Sequence, residues 1–234
     1  MAPSLSIFFP CYNDAGTIGT LVQDADTVAR TLTGDYEIIV VNDGSKDNSA
    51  EVLQATQARV PTLRVVTHPV NRGYGAALRS GFNASTKDLI FYTDGDGQYD
   101  VKELPILFAI LSDDVDFVNG MKMTRQDPAY RIFIGNLHKF VVRWMLWLPI
   151  IDVDCDYRLI RRWVIDTITL TSNSGSICAE MVKRSERAGA KFREVDVHHY
   201  PRVSGSSQFF SVGRIVQTYV DLAVLWVRLM IGRK

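Results

Sequence analysis

Five short apolar runs in the first half of this chain, each ending in a polar or acidic segment, constrain its fold more than any other feature. They are Leu5–Phe9, Tyr36–Val41, Leu63–Thr67, Leu89–Thr93 and Asp116–Asn119. Such runs, too short for helices and rich in Val, Ile, Phe and Tyr, read as strands buried on both faces. Helical spacing fills the gaps between them. Ile18, Leu21, Val22, Ala25, Val28, Ala29 and Leu32 share one face, and further helices fit Asn48–Ala58, Tyr74–Ala84 and Val101–Leu111. Strand and helix in alternation predict an α/β fold, a mostly parallel sheet covered by helices on both faces.

At 234 residues the chain is expected to form one domain, or one core with an appendage. Its formal charge is zero, but unevenly distributed. Residues 1–120 hold 16 acids against 8 bases, and residues 121–234 hold 10 acids against 18 bases. An acidic half suits a metal ion, and a basic half suits an anionic partner. No nucleic-acid-binding motif is present, so that anion is not expected to be RNA or DNA. Cys11, Cys155 and Cys178 are odd in number and lack zinc-ligand spacing, so buried thiols in a reducing compartment are expected. No basic segment precedes an apolar stretch at the N-terminus, as a secretory signal would require.

After Gly120 the pattern changes. Residues 132–151 are apolar and aromatic, interrupted by His138, Lys139 and Arg143; Phe192–His199 alternates like a strand; Phe209–Ile231 reads as a long amphipathic helix. Neither apolar stretch has the roughly 20 uninterrupted residues that a membrane-crossing helix needs. On the last helix Arg214, Gln217, Asp221 and Arg228 form a thin polar stripe beside a wide apolar face, suited to lying in a bilayer interface. Burial against the domain or against a second copy of the chain accounts for the same pattern. The chain divides at 1–120, 121–208 and 209–234.

The chemistry lies in the loops. Asp94-Gly95-Asp96-Gly97-Gln98 follows a strand, and ligand crevices of open α/β sheets lie outside the carboxyl ends of strands. Two carboxylates this close repel each other unless a cation or a proton intervenes, and a hard divalent cation shared with phosphates is the natural partner. A solvated acidic turn is the plain alternative. Pro10-Cys11-Tyr12-Asn13-Asp14 and Val41-Asn42-Asp43-Gly44-Ser45 close two other strands on the same edge. There Tyr12 offers a stacking face and Asp43 a carboxylate for a base N–H or a ribose hydroxyl. Asn71-Arg72-Gly73-Tyr74-Gly75-Ala76 opens a helix, where phosphate is welcome, although the glycine spacing is not that of a dinucleotide fold. Arg72 contacts a pyrophosphate there or merely caps a neighbour. Asp152, Asp154 and Asp156 are a solvated entrance or the surroundings of a reaction centre. Arg202-Val203-Ser204-Gly205-Ser206-Ser207 offers a cation and hydroxyls for phosphate. His198 and His199 face opposite sides of a strand and are expected to be structural.

Together these motifs, in this order, resemble glycosyltransferase family 2, inverting enzymes with a GT-A fold, over nearly the whole chain from Ser6 to about Gln208. The second half is similar to the polyprenyl-phosphate branch of that family. The resemblance implies a sugar moved from a UDP- or GDP-linked donor to a polyprenyl phosphate with Mg²⁺ or Mn²⁺, at the cytoplasmic face of a membrane. It implies a nucleotide site of Pro10, Tyr12, Asn13, Asp14, Asp43, Asn71, Arg72, Gly75, Asp94 and Gly95. Asp94, Asp96 and Gln98 would hold the metal. Arg125, Arg131, Arg202 and Ser206 would hold the acceptor phosphate, and Asp96, Asp156 and Arg202 would stand at the reaction centre. Two departures fall on the acceptor side: Cys155 where glycine is usual and Gln208 where lysine is usual. Rival readings are a family relative with a soluble sugar or polysaccharide acceptor, a phosphatase with paired aspartates, and a non-catalytic membrane-surface adaptor.

Overall fold

In a computed structural model, the structure describes residues 3–123, 139–202 and 212–231; the side chains of 212–216 and 218 lie outside the description. Seven strands form one sheet in the order β3-β2-β1-β4-β6-β5-β7. They are β1 (Leu5–Cys11), β2 (Tyr36–Asn42), β3 (Leu63–Thr67), β4 (Leu89–Thr93), β5 (Phe117–Lys122), β6 (Tyr157–Arg161) and β7 (Phe192–Val197). Helices α1 (Ile18–Leu32), α2 (Ser49–Gln57), α3 (Tyr74–Ala84) and α4 (Leu104–Ile110) belong to the first half. A helix at 139–146, here α5, is followed by α6 (Arg162–Thr167), α7 (Ser176–Arg187) and α8 (Val212–Trp226), which passes into a π-helical turn at Val227–Ile231.

The expected strands all form, with β1 and β2 slightly longer than predicted, β5 shifted to Phe117–Lys122, and β7 ending at Val197, so that His198 and His199 follow the strand rather than belonging to it. The sheet is mostly parallel: β1 pairs β2 and β4, β2 pairs β3, and β5 pairs β7 in parallel. Among the described strands only β6 runs backward, wedged antiparallel between β4 and β5. β1 and β4 are neighbours while β2 and β3 lie on the far side of β1, so the winding reverses between β1 and β4. Ligands of open α/β sheets bind at that place.

Both faces of the sheet are packed. On one, Ile7, Phe9, Ile38 and Phe91 meet the predicted α1 stripe of Ile18, Val22, Ala25 and Ala29. On the other, Phe8, Ile39, Val41 and Tyr92 meet Ala77, Leu78 and Phe82 of α3, and the same layer continues into α7 and α8 through Ile177, Met181, Leu222, Leu225 and Leu229. Phe8 and Tyr92 stack at 5.3 Å between centroids. A Cβ on Gly81 would come within 2.4 Å of the Phe8 ring, so α3 lies as near the sheet as its backbone allows.

The two halves are joined by a fully buried cation, Arg158 on β6. It donates to Asn119 Oδ1 at 2.8 Å, to the Tyr92 hydroxyl at 2.8 Å and to the Val153 carbonyl at 2.5 Å. Burial disfavours its charge, but the Tyr92, Cys178 and Asp156 groups around it keep it firmly protonated. All three cysteines are buried free thiols. Among the described residues no helix is long and apolar enough to cross a membrane.

Candidate active site

The loops after β1, β2 and β4 meet at a cavity of about 430 Å³. Of the residues predicted from the sequence, Pro10, Tyr12, Asp14, Asp43, Asn71, Asp94, Gly95, Asp96 and Arg202 line it. Their convergence follows from parallel pairing, which carries the carboxyl ends of β1, β2 and β4 to one edge.

The loops lock one another. Asn13 takes a left-handed backbone at φ 61°, an uncommon conformation that asparagine tolerates. Its N–H donates to Ser45 Oγ at 3.0 Å, and its side-chain oxygen accepts from Lys46 N at 2.7 Å. Thr17 Oγ1 donates to the Gly95 carbonyl at 2.7 Å, and Gly95 N donates to the Pro10 carbonyl at 3.2 Å, tying the β4 loop to the β1 loop. Asp43 is 3% exposed. Its Oδ1 accepts from Arg72 N and its Oδ2 from Gly73 N, each at 2.9 Å, so the carboxylate also organises the turn before α3.

The site is strongly acidic. Asp94 is held well above the ordinary carboxylate range, chiefly by burial and then by the charges of Asp156 and Asp96. Tyr74 donates its hydroxyl to Asp94 Oδ1 at 2.8 Å, which favours the charged form. Burial likewise raises Asp96, while Arg202 opposes it from 2.5 Å. Asp14 is pushed up to about 6, again mainly by burial. Beneath these carboxylates lies Lys122. Burial opposes its charge, but Cys155, Asp152, Asp154 and Asp156 more than compensate. Its ammonium donates to the Asp154 carbonyl at 2.7 Å.

Several predicted residues do not line the cavity. Asn13 is spent on loop structure, and Arg72 faces an adjoining cavity of about 600 Å³ with Arg228. Gly75 packs against the loop before α7: its N–H donates to Asn173 O, and a Cβ there would lie 2.3 Å from the Ser172 carbonyl oxygen. The Gln98 amide donates to the Tyr200 carbonyl at 3.1 Å. Asp156 accepts from Cys178 Sγ at 3.0 Å, close enough to raise Asp94. Arg125, Arg131 and Ser206 lie outside the described residues. Among the described residues no group of three or more metal-ligating side chains is already gathered.

The sequence reading missed Tyr74, Lys122 and His68. Tyr74 sits inside a motif already singled out. Lys122 closes β5, and His68 follows β3 directly, so both stand at carboxyl ends of strands on the site's own edge. His198 pairs with Glu103 and His199 packs on Tyr99, both away from the cavity, in keeping with structural roles.

Known proteins share this architecture. Solved structures of glucosyl-3-phosphoglycerate synthase from Mycobacterium tuberculosis superpose with a TM-score of 0.75 at 16% identity for the complex with Mn²⁺, UDP-glucose and phosphoglyceric acid, covering 96% of this chain and 80% of that one. The complex with Mg²⁺ and UDP gives 0.72 at 15% identity, covering 95% and 79%. These likenesses establish the GT-A fold. In sequence, the chain is 29% identical over 220 residues to undecaprenyl-phosphate 4-deoxy-4-formamido-L-arabinose transferases of Yersinia enterocolitica and Yersinia pestis. The match takes in 93% of this chain and spans 66% of the length of those curated relatives. The model of the family "Glycosyl transferase family 2" matches residues 6–169, well over half of the chain, and with the fold and the loop motifs in agreement the chain belongs to that family.

Proposed function

We propose that this protein moves a sugar from a nucleotide-diphosphate donor, UDP- or GDP-linked, to a polyprenyl phosphate, with inversion at the anomeric carbon. The observation that carries the reading is the cavity at the β1/β4 reversal, where Asp43, the Asp94–Asp96 pair and Arg202 converge from three separate segments. Tyr12 and Asp43 would take the base, the turn at Asn71 the phosphates, and Arg202 the charge that develops on the leaving diphosphate. The acceptor phosphate is already an anion, so it needs no general base. Catalysis then rests on alignment and electrostatics, with Asp156 a carboxylate near the reaction centre. Arg125, Arg131 and Ser206 complete the proposed acceptor side.

Asp94 and Asp96 fit Mg²⁺ or Mn²⁺. They are hard oxygen donors, buried together, and each raises the cost of charge on its neighbours, which a divalent cation would relieve. Gln98 would join them through its side-chain carbonyl oxygen. Such a cation supplies Lewis-acid neutralisation of the diphosphate. The likeness to undecaprenyl-phosphate transferases supports the lipid acceptor. So does an exposed apolar surface: Phe140 and Trp144 on α5, with Trp147, are 67%, 71% and 71% exposed. Val220, Val224, Val227 and Ile231 are exposed on the last helix. Tryptophans and a helix that keeps apolar residues exposed beyond those it packs on the domain suit a peripheral place on a bilayer, here its cytoplasmic face.

The test is a panel of UDP- and GDP-sugars with short polyprenyl phosphates and with soluble sugars, run alongside vesicle co-sedimentation. Transfer to the lipid phosphate, dependent on Mg²⁺ or Mn²⁺, is the expected result. Transfer to soluble acceptors alone, by a protein that ignores vesicles, would overturn the lipid reading.

A further inference from the structure

His68 is 5% exposed and lies behind Asp43. Its Nδ1 is 2.6 Å from Asp43 Oδ1, and its Nε2 is 2.9 Å from Ser80 Oγ on α3. A carboxylate only accepts, so Nδ1 carries the proton that faces it. The backbone adds a further constraint, since His68 N donates to the Asn42 carbonyl at 2.9 Å. Ring and carboxylate are thus held from both ends.

Two carboxylate oxygens together offer about four lone-pair sites. Oδ1 already accepts from His68 Nδ1 and Arg72 N, and is full. Among the described residues Oδ2 accepts only from Gly73 N, which leaves one acceptor position on a side chain that lines the cavity. A single acceptor matches a base with one N–H between two carbonyls, the imide edge of uracil. Guanine presents two parallel N–H groups, N1–H and N2–H, and a carboxylate meets both only with both oxygens. Occupying Oδ1 leaves one guanine donor buried without a partner, a mismatch that sites built on hydrogen bonds reject strongly.

We infer that His68 is a specificity-determining residue: by saturating Oδ1 it tunes Asp43 to a uracil-type base and against guanine. The inference rests on reading Asp43 as the base contact. It is tested by calorimetric titration of the full chain with UDP and GDP. Wild type should bind UDP at least about tenfold more tightly than GDP, the scale of one charge-assisted hydrogen bond. In His68→Asn the amide nitrogen falls where Nδ1 was, so the donation to Oδ1 and the preference survive. In His68→Gln it falls where Nε2 was; the Ser80 contact survives, Oδ1 is released, and the UDP-over-GDP ratio narrows. Loss of a merely structural contact would weaken both nucleotides alike and leave the ratio unchanged. An unchanged ratio in His68→Gln, or Asn and Gln variants that behave alike, overturns the inference. Should His68→Gln not fold, the wild type and His68→Asn decide, and GDP bound as tightly as UDP by either refutes it. Asp43→Ala separates the two readings: unchanged UDP affinity there refutes Asp43 as the base contact, whatever His68 does.

Discussion

The two halves of the sheet hold their functional residues by opposite means. In the first half every loop at the cavity is braced by another loop. Asn13 holds Ser45 and Lys46, Asp47 accepts from Ala15 and Ser49, and Thr17 reaches across to Gly95. In the second half, Arg202 meets the cavity through an ion pair with Asp96, and α5 turns large aromatic side chains outward. One half is organised to keep carboxylates still at some electrostatic cost. The other presents apolar surface and cations. Preorganised polar groups are what a charged transition state needs, whereas a lipid substrate needs a surface it can approach from the side.

The largest expected effect that would sharpen this contrast comes from Asp96→Asn. The substitution keeps the shape but removes a charge, so turnover should fall by about a hundredfold or more while the thermal midpoint holds or rises. Near-normal turnover would mean that the braced half is not where the chemistry occurs. Next is the pH response of Asp14. Its folded value near 6 exceeds the ordinary aspartate value of about 3.9, so the folded state binds the extra proton. Stability is therefore greatest below that ordinary value and is lost as pH rises through about 6. Asp14→Asn should remove this dependence and gain on the order of 2 kcal/mol relative to wild type between pH 4 and pH 7, read from urea unfolding. Parallel pH profiles for the two proteins would refute the assignment.

Smaller is the effect of Gly75→Ala, at the contact between the halves. The added methyl meets the Ser172 carbonyl and should cost about 1–3 kcal/mol, measured as a shift in the denaturation midpoint. The smallest concerns the outward face. Trp144→Ala should alter stability by no more than about 0.5 kcal/mol yet lower the fraction that sediments with anionic vesicles. A large loss of stability there would show that the ring is structural and would remove the contrast.

Legibility followed the same division. Leu63–Thr67, Leu89–Thr93 and Tyr74–Ala84 form at the residues their patterns indicate, because local periodicity and turn chemistry specify them. The cavity was legible for a related reason: parallel strands bring successive loops to one edge. The reversed strand β6 was not legible as an insertion between β4 and β5, since five apolar-rich residues carry no mark of direction or partner. Val101–Leu111 was read as one helix but is a 3₁₀ turn at Val101–Glu103 followed by α4, with Pro105 near the junction. The burial of Arg158 was not legible, because burial of a charge depends on partners distant in sequence, here Asn119 and Tyr92. His68 escaped for the same reason.

The placement of β6 also has a consequence in time. As the chain leaves the ribosome, β1 to β4 can pair in the order β3-β2-β1-β4 using only contacts already synthesised. β4 then presents an open edge, with all five residues destined for burial, until residues 157–161 arrive to cover it. An uncovered, apolar, central strand is a ready template for pairing with another chain. A chain halted at Met123 should therefore aggregate although it contains most of the cavity's carboxylates, and adding residues through Arg161 should relieve that tendency. Light scattering on the two truncations would detect the difference. The reversed strand thus protects the edge of β4, before β7 joins the sheet on β5, and the buried hydrogen bonds of Arg158 to Asn119 and Tyr92 hold it in place.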